Sequence, residues 1–166
     1  MIVLGVDPGS HATGYGVIET TSNLAMIAGG VIRTDAGDAL AARLETIHDG
    51  IVAVLAEHRP QAMAVENLFN ARNARASLIL GHARGVVLLA GAQASLTVAE
   101  YAPREVKKAI TGNGAAAKEQ VRFMVMRLLS LRGTLPLDQS DALAVAIAHV
   151  HRNRHGSDLL ARGGFA

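Results

Sequence analysis

The run Ile2-Val3-Leu4-Gly5-Val6, which Asp7 follows, decides how the fold of this chain is read. The run is short, apolar throughout and rich in branched side chains, a pattern typical of a central strand that is covered on both faces. Pro8 and Gly9 then predict a turn. We therefore expect Asp7 at the carboxyl end of a buried strand.

A second buried run, Ala62-Met63-Ala64-Val65, ends in Glu66. Between the two runs, residues 38–57 carry apolar side chains at helical spacing, with Asp38 as a candidate N-cap. A crossover helix between two buried strands makes those strands parallel. Asp7 and Glu66 should therefore emerge on the same edge of the sheet, where open α/β sheets place their sites.

Two further acids, Asp138 and Asp141, open a segment that is apolar nearly all round, over residues 138–152. This pattern predicts a helix packed against the sheet. Because the two acids are three residues apart, they share one face, where their charges repel unless a cation lies between them. Taken alone, the pair is equally well interpreted as an N-cap and a first-turn acid.

The other two acids also have ordinary explanations when each is considered alone. Asp7 would then be a turn residue and Glu66 a strand-end charge facing water. The four together are harder to explain in that way, because carboxylates on one edge are the ligands that hard divalent cations prefer. The sequence therefore predicts a metal site that performs phosphodiester chemistry.

The remaining pattern completes a mixed α/β sheet. Residues 14–20 and 25–33 indicate two strands joined by a hairpin-like turn. After residue 152 the chain becomes polar and basic and contains glycine, which favours a loose tail. The other expected elements are helices over residues 71–93, 103–110 and 115–131 and a strand over residues 96–101.

Length and composition favour one domain with its own core. The chain has 166 residues, half of them apolar, and it has no cysteine. The cysteine count excludes a disulfide framework and a zinc–thiolate site. No apolar run approaches the roughly 20 residues of a membrane span. We expect a cytoplasmic protein with no membrane contact, a nuclease domain over residues 1–152 and a flexible basic tail over residues 153–166.

Charge is distributed unevenly along the chain. Residues 1–57 hold two arginines against seven acids, a net charge of −5, whereas the remainder has 14 basic residues against seven acids, a net charge of +7. The three lysines, Lys107, Lys108 and Lys118, all fall within 12 residues. A solvated helix face would explain them, but the local excess of positive charge favours a polyanionic partner such as DNA.

Four motifs, in order, resemble those of the RuvC family of Holliday junction resolvases, which share the RNase H-like fold. The resemblance runs from residue 2 to about residue 151. The motifs are Gly5-Val6-Asp7-Pro8-Gly9-Ser10 with Thr13-Gly14-Tyr15-Gly16; Val65-Glu66-Asn67-Leu68-Phe69; Tyr101-Ala102-Pro103-Arg104-Glu105-Val106-Lys107 with Lys118; and Asp138-Gln139-Ser140-Asp141.

This resemblance implies an RNase H-like fold with a five-stranded mixed sheet flanked by helices. It also implies an endonuclease that resolves four-way DNA junctions in recombination and repair by paired, metal-dependent cleavage. We expect 5′-phosphate and 3′-hydroxyl ends and two Mg²⁺ or Mn²⁺ ions in each site. The implied catalytic and metal-binding residues are Asp7, Glu66, Asp138 and Asp141.

The resemblance also implies contacts with DNA. Phe69 would contact a base near the crossover, and Lys107 and Lys118 would meet the phosphate backbone. The stretch that follows Phe69, with Asn70, Arg72 and Arg75, has no residue-by-residue match to the family. Core phenylalanines are common, so the exposure of Phe69 discriminates between stacking on a base and packing in the core.

The substrate suggests the assembly. A four-way junction has two-fold symmetry, so a C₂ homodimer with one site in each subunit is expected. The helix over residues 76–93, with small Gly81, Ala83 and Gly85, is the candidate interface, although it could equally be ordinary core. A branch-migration complex is a further expected partner.

Two other functions fit parts of the sequence. Asp7-Pro8-Gly9 is also typical of actin-like or sugar-kinase-like phosphotransferases, but those proteins close two such domains over ATP and this chain has length for one. No Walker lysine or Rossmann glycine motif follows Val6. The second alternative is a noncatalytic module that binds branched DNA, against which the complete set of carboxylates argues.

Overall fold

The computed structural model describes residues 1–67 and 73–162, with side chains up to Asn153. Within this part the chain alternates strands and helices in a mixed α/β order. The elements are β1 (Ile2–Asp7), β2 (Ala12–Thr20), β3 (Leu24–Arg33), α1 (Leu40–His58), β4 (Ala62–Glu66), α2 (Ala74–Gln93), β5 (Thr97–Tyr101), α3 (Pro103–Thr111), α4 (Lys118–Leu128) and α5 (Leu137–Arg162).

The strands form one sheet in the order β3-β2-β1-β4-β5. β1 is antiparallel to β2 and parallel to β4, and β4 is parallel to β5. The predicted five-stranded mixed sheet is therefore confirmed. Because Val6 pairs with Val65, Asp7 and Glu66 are the next residues on two adjacent parallel strands. They lie side by side at the carboxyl edge, as the crossover argument predicted.

Side-chain alternation along the strands decides which face each acid uses. Val3 packs in the core that includes α3, α4 and α5, whereas Leu4 and Val6 pack in the core that includes α1 and α2. Asp7 has the same parity as Val3, and by the same rule Glu66 follows Ala64. Both carboxylates therefore leave the sheet on the side of α5.

α5 lies very close to the sheet. A Cβ atom on Gly5 would stand 2.1 Å from the Ala142 carbonyl oxygen, and a Cβ on Gly14 would stand 2.0 Å from the Asp138 carbonyl oxygen. Only glycine permits backbone to approach backbone at these points. The glycines of β1 and β2 thus bring the first turns of α5 over the two strands next to the acids.

Two predicted boundaries are wrong. α1 begins at Leu40 after Ala39, with no side-chain cap, so Asp38 is not the N-cap; its N–H instead donates to the Asp35 carbonyl at 3.3 Å, within a turn. The predicted loose segment after residue 152 is helical up to Arg162, because Gly156 weakens a helix by only about 1 kcal/mol and does not end it. The division between a domain and a tail at residue 152 stays a prediction.

α2 is, among the described helices, the one that is long and apolar enough to cross a membrane. Core helices of soluble proteins pass the same test of length and composition. Here the Arg84 guanidinium forms an ion pair with the Glu100 carboxylate on β5, which ties α2 to the sheet. The apolar character of α2 is therefore compatible with a helix that packs on this domain.

Candidate active site

The centre of the site is the pair of carboxyl groups of Asp7 and Glu66. The two groups lie within hydrogen-bonding reach of each other at the ends of β1 and β4. Both residues are partly buried, and Pro8 beside them is fully covered. Two carboxyl groups this close together repel each other when both are ionised, and sharing a proton or a cation relieves that repulsion.

A third carboxylate, that of Asp141, comes from the second turn of α5. Its Oδ2 accepts a hydrogen bond of 2.7 Å from Nζ of Lys118, the first residue of α4. The Asp141 side chain exposes 14% of its surface and the Lys118 side chain 61%. The ammonium group therefore reaches a largely covered acid from the solvent side.

Burial and mutual repulsion shift the protonation of this cluster. Burial, followed by the charge and hydrogen bond of Glu66 and the charge of Asp141, raises the pKa of Asp7 well above its ordinary range. Burial likewise raises the pKa of Glu66, against the hydrogen bond from Asp7 and the charges of Lys118 and Lys107. The hydrogen bond to Asp141 raises the pKa of Lys118. A cation placed among these acids would relieve the repulsion that these shifts express.

Asp138, the fourth predicted acid, is placed nearby through its backbone. It is the second residue of α5, and its carbonyl lies over Gly14, the residue paired with Asp7 in the sheet. Its side chain is half-buried. Within the described chain, no hydrogen bond or ion pair joins its carboxylate to another residue. The structure thus brings the carboxyl groups of Asp7 and Glu66 together, places Asp141 near enough for its charge to act on both, and sets the backbone of Asp138 beside them.

A cavity of about 250 Å³ opens beside these acids. It is bounded by β4, α3, α4 and α5, and its lining includes two acids and two lysines. Lys107 lies there close enough for its charge to act on Glu66. The lining residues are Glu66, Pro103, Val106, Lys107, Lys118, Val121, Asp141 and Ala144.

Known proteins resemble this chain over nearly its whole length. The family model described as crossover junction endodeoxyribonuclease RuvC matches residues 3–149. A protein of that name from Syntrophotalea carbinolica is 52% identical over 161 residues, which cover 96% of this chain and 99% of the relative. The chain belongs to the RuvC family. It is accordingly a nuclease of the hydrolase class, as its motifs predicted.

Solved structures of the RuvC family agree with the architecture described above. The Thermus thermophilus RuvC structure has a TM-score of 0.87 at 36% identity, covering 94% of this chain and 97% of that one. The structure of T. thermophilus RuvC in complex with a Holliday junction substrate has a TM-score of 0.86 at 34% identity, with the same coverage. The expected RNase H-like fold is confirmed, and membership of the RuvC family favours the nuclease over the phosphotransferase alternative.

RuvC membership implies dependence on a divalent metal, and the carboxylates of this site are chemically suitable ligands for such an ion. Three buried or half-buried carboxylates supply hard oxygen ligands, and the basic side chains nearby are too few to neutralise their charge. In residues 1–67 and 73–162, however, no group of three or more acidic or histidine side chains is already arranged to hold a metal ion. Asp141 is bonded to Lys118, so this carboxylate would have to leave the ammonium group to bind a metal ion.

One predicted residue of this RuvC-family site is not described by the structure, and one unpredicted residue lies close to the site. Phe69, with Asn70 and Arg72, lies outside the described residues, so its predicted contact with a base stays a prediction. The sequence interpretation missed Arg43, which is buried and bonds the turn that follows Asp7. A signal was available, since Arg43 stands four residues before Ile47 and therefore on the buried face of α1.

Proposed function

We propose that this chain cuts four-way DNA junctions by metal-dependent hydrolysis, with Asp7, Glu66, Asp138 and Asp141 as the ligands of two Mg²⁺ or Mn²⁺ ions. One observation carries the proposal: Asp7 and Glu66 lie together at the carboxyl edge of the sheet, within reach of the charge of Asp141 on α5, and their pKa values are raised. Acids in such a cluster are destabilised by their own repulsion unless they bind cations. When bound, two ions would activate a water and neutralise the leaving 3′ oxygen.

The residues of the chain have separate tasks in this proposal. Asp7, Glu66, Asp138 and Asp141 would together hold the ions, with Asp7 as the ligand that both ions share and the other three acids dividing the remaining positions. Lys118 bonds to Asp141 and Lys107 lines the same cavity, which supports a role for both ammonium groups in binding a phosphate there. A phosphate that takes Lys118 would free Asp141 to act as a ligand. Phe69 is expected to stack on a base beside the crossover.

Paired cutting requires two sites, and α2 offers a surface for a second copy. Leu78 exposes 65% and Leu89 exposes 49% of its surface, which is unusual for leucines on a helix this apolar. Between them Gly81 and Gly85 have open space where a Cβ would point. These four residues recur at helical spacing along one stripe of α2, the α2 stripe. A two-fold axis through this stripe would form a C₂ dimer.

The direct test compares a mobile four-way junction with a linear duplex of the same sequence, with Mg²⁺ and with EDTA. We expect two nicks in opposed strands of the junction only, only with metal, and with ends that a ligase seals. Cleavage of the linear duplex at the same rate would contradict the proposed selectivity. Action in the cytoplasm and docking to a branch-migration complex remain expectations that this assay does not address.

The matched variant is Asp7→Asn. It keeps the size of the side chain but removes a charged ligand, so we expect cleavage to fall by about 1,000-fold or more. Junction binding in EDTA should stay within about twofold of the unaltered chain, because Asp7 is placed to meet cations rather than phosphates. Loss of binding together with cleavage would contradict this division of roles, as would a variant that still cuts.

A further inference from the structure

Arg43 is a buried cation that has no acidic partner. It exposes only 8% of its surface on the first turns of α1. Its guanidinium forms no ion pair with any acid in the described part of the chain. Burying a charge in this way is costly unless hydrogen bonds compensate for the lost hydration. The contacts of Arg43 therefore indicate which part of the structure this residue holds in place.

Those contacts converge on the turn between β1 and β2, residues 8–11. Nη2 of Arg43 donates to the Ser10 carbonyl and lies 3.3 Å from Nδ1 of His11. Nε of Arg43 lies 3.3 Å from Oγ1 of Thr34, which itself donates to the Ser10 carbonyl at 2.9 Å. The Thr34 N–H donates to the His11 carbonyl at 3.1 Å. Arg43 and Thr34 thus share one acceptor on the turn.

The other side of the same turn is held by Thr13. Its hydroxyl donates to the Gly9 carbonyl at 2.8 Å and accepts the Gly9 N–H at 3.3 Å. The turn is therefore bonded from both sides over the residues that directly follow Asp7 and Pro8. The turn joins the paired strands β1 and β2, and these side chains hold the residues between the two strand ends.

We propose that Arg43 is a positioning residue for Asp7: by bonding the Ser10 carbonyl together with Thr34, it fixes the turn that directly follows Asp7 and so the end of β1, where the Asp7 carboxylate faces Glu66. The inference rests on the metal-dependent cleavage proposed above. Misplacing a catalytic group by about 1 Å can lower a rate by about 100-fold. Arg43 therefore affects the rate of cleavage and the affinity for the metal without touching DNA or metal.

The first variant is Arg43→Gln, measured by single-turnover cleavage at saturating enzyme, by junction binding in EDTA and by calorimetric titration with Mn²⁺ alone. We expect cleavage to fall by about 10- to 100-fold and Mn²⁺ binding to weaken. Junction binding should stay within about twofold. Arg33→Gln is the matched control, because it removes the same charge from an exposed side chain one residue before Thr34 and should leave all three measurements unchanged.

The second variant tests the shared acceptor and does not remove a buried charge. Thr34→Val deletes the hydroxyl that bonds Ser10, whereas Thr34→Ser keeps it. We expect Thr34→Val to lower cleavage by about fivefold and Thr34→Ser to match the unaltered chain. In the double variant Arg43→Gln, Thr34→Val, cleavage should be no more than about twofold below that of Arg43→Gln, because both changes act on one carbonyl.

A folded Arg43→Gln chain that cuts and binds Mn²⁺ like the unaltered chain would overturn the inference. If Arg43→Gln does not fold, equal cleavage by Thr34→Val and Thr34→Ser overturns it instead. A role in stability alone predicts a lower melting temperature with unchanged Mn²⁺ affinity of the folded protein, which is also a contrary result. If the unaltered chain fails to cut junctions, the proposed function fails, while Mn²⁺ binding still reports on Arg43.

Discussion

α5 and α2 are the longest helices in the described chain, and they differ in how much of their apolar surface is covered. From Ala142 to Ile147, every residue of α5 exposes 1% or less. α2 buries only the narrow stripe listed here: Ala83, Val87, Ala90 and Gly91. α5 is therefore an internal helix that presents acids beside the sheet, whereas α2 leaves apolar surface exposed.

The substitution with the largest expected effect tests how closely α5 packs against the sheet. Gly5→Ala would place a Cβ 2.1 Å from the Ala142 carbonyl and 2.8 Å from the Ala146 nitrogen, so α5 must move away from β1. We expect the free energy of unfolding to fall by about 3 kcal/mol or more, measured by urea denaturation. Gly81→Ala on α2 meets nothing and should raise helix stability by about 1 kcal/mol in the monomer. Equal effects of the two substitutions would remove the contrast between the helices.

The substitution with the next largest expected effect tests whether the exposed α2 stripe forms a dimer interface. Leu89→Glu places a charge in the α2 stripe, so we expect the dimer to weaken by about 100-fold or more, measured by equilibrium sedimentation. The melting temperature of the monomer should change little, because Leu89 is already half exposed. Val52→Glu, at an apolar residue of α1 that is 40% exposed, is the control and should remain dimeric. An unaltered chain that sediments as a monomer would contradict the paired-cut proposal.

The smallest effect concerns a histidine inside α5. His149 is buried, with Nδ1 2.8 Å from the Tyr101 hydroxyl, and burial and then the charge of Arg152 lower its pKa. The unfolded chain then binds the proton more tightly than the folded chain does. The resulting stability is present above the ordinary pKa of 6.5 and is lost as the pH falls through that value toward the lowered one.

We therefore expect His149→Gln to lose less stability than the unaltered chain between pH 7.5 and pH 5.5, measured by chemical denaturation at each pH. The matched change is His82→Gln, at an exposed residue of α2, which should leave the pH dependence as it is. A pH slope unaffected by His149→Gln would show that other groups control acid sensitivity in this range.

Much of the sheet could be predicted from local sequence. Continuous apolar runs identified β1 and β4, and the crossover argument placed Asp7 and Glu66 side by side. These inferences succeeded because an apolar run, and the helix that connects two such runs, can be recognised from neighbouring residues alone. The difference between α5 and α2 could not be predicted, because both are apolar and only the glycines opposite α5 reveal its depth.

The contacts of the site depended on distant parts of the chain. The bond between Lys118 and Asp141 joins residues 23 positions apart, and it forms only because α4 packs beside α5. The family resemblance implies a phosphate contact for Lys118 and does not indicate an acidic partner. Arg43 bonds a turn 33 positions before it, so its role could not follow from its neighbours in sequence.

The close fit of α5 against β1 and β2 has a genetic consequence. At Gly5 and Gly14 any larger side chain would displace the helix that carries two of the four acids. A random screen for inactive alleles should thus recover missense changes at these two glycines as well as at the carboxylates. The two groups would separate by the steady-state amount of protein in the cell, low for the former and normal for the latter.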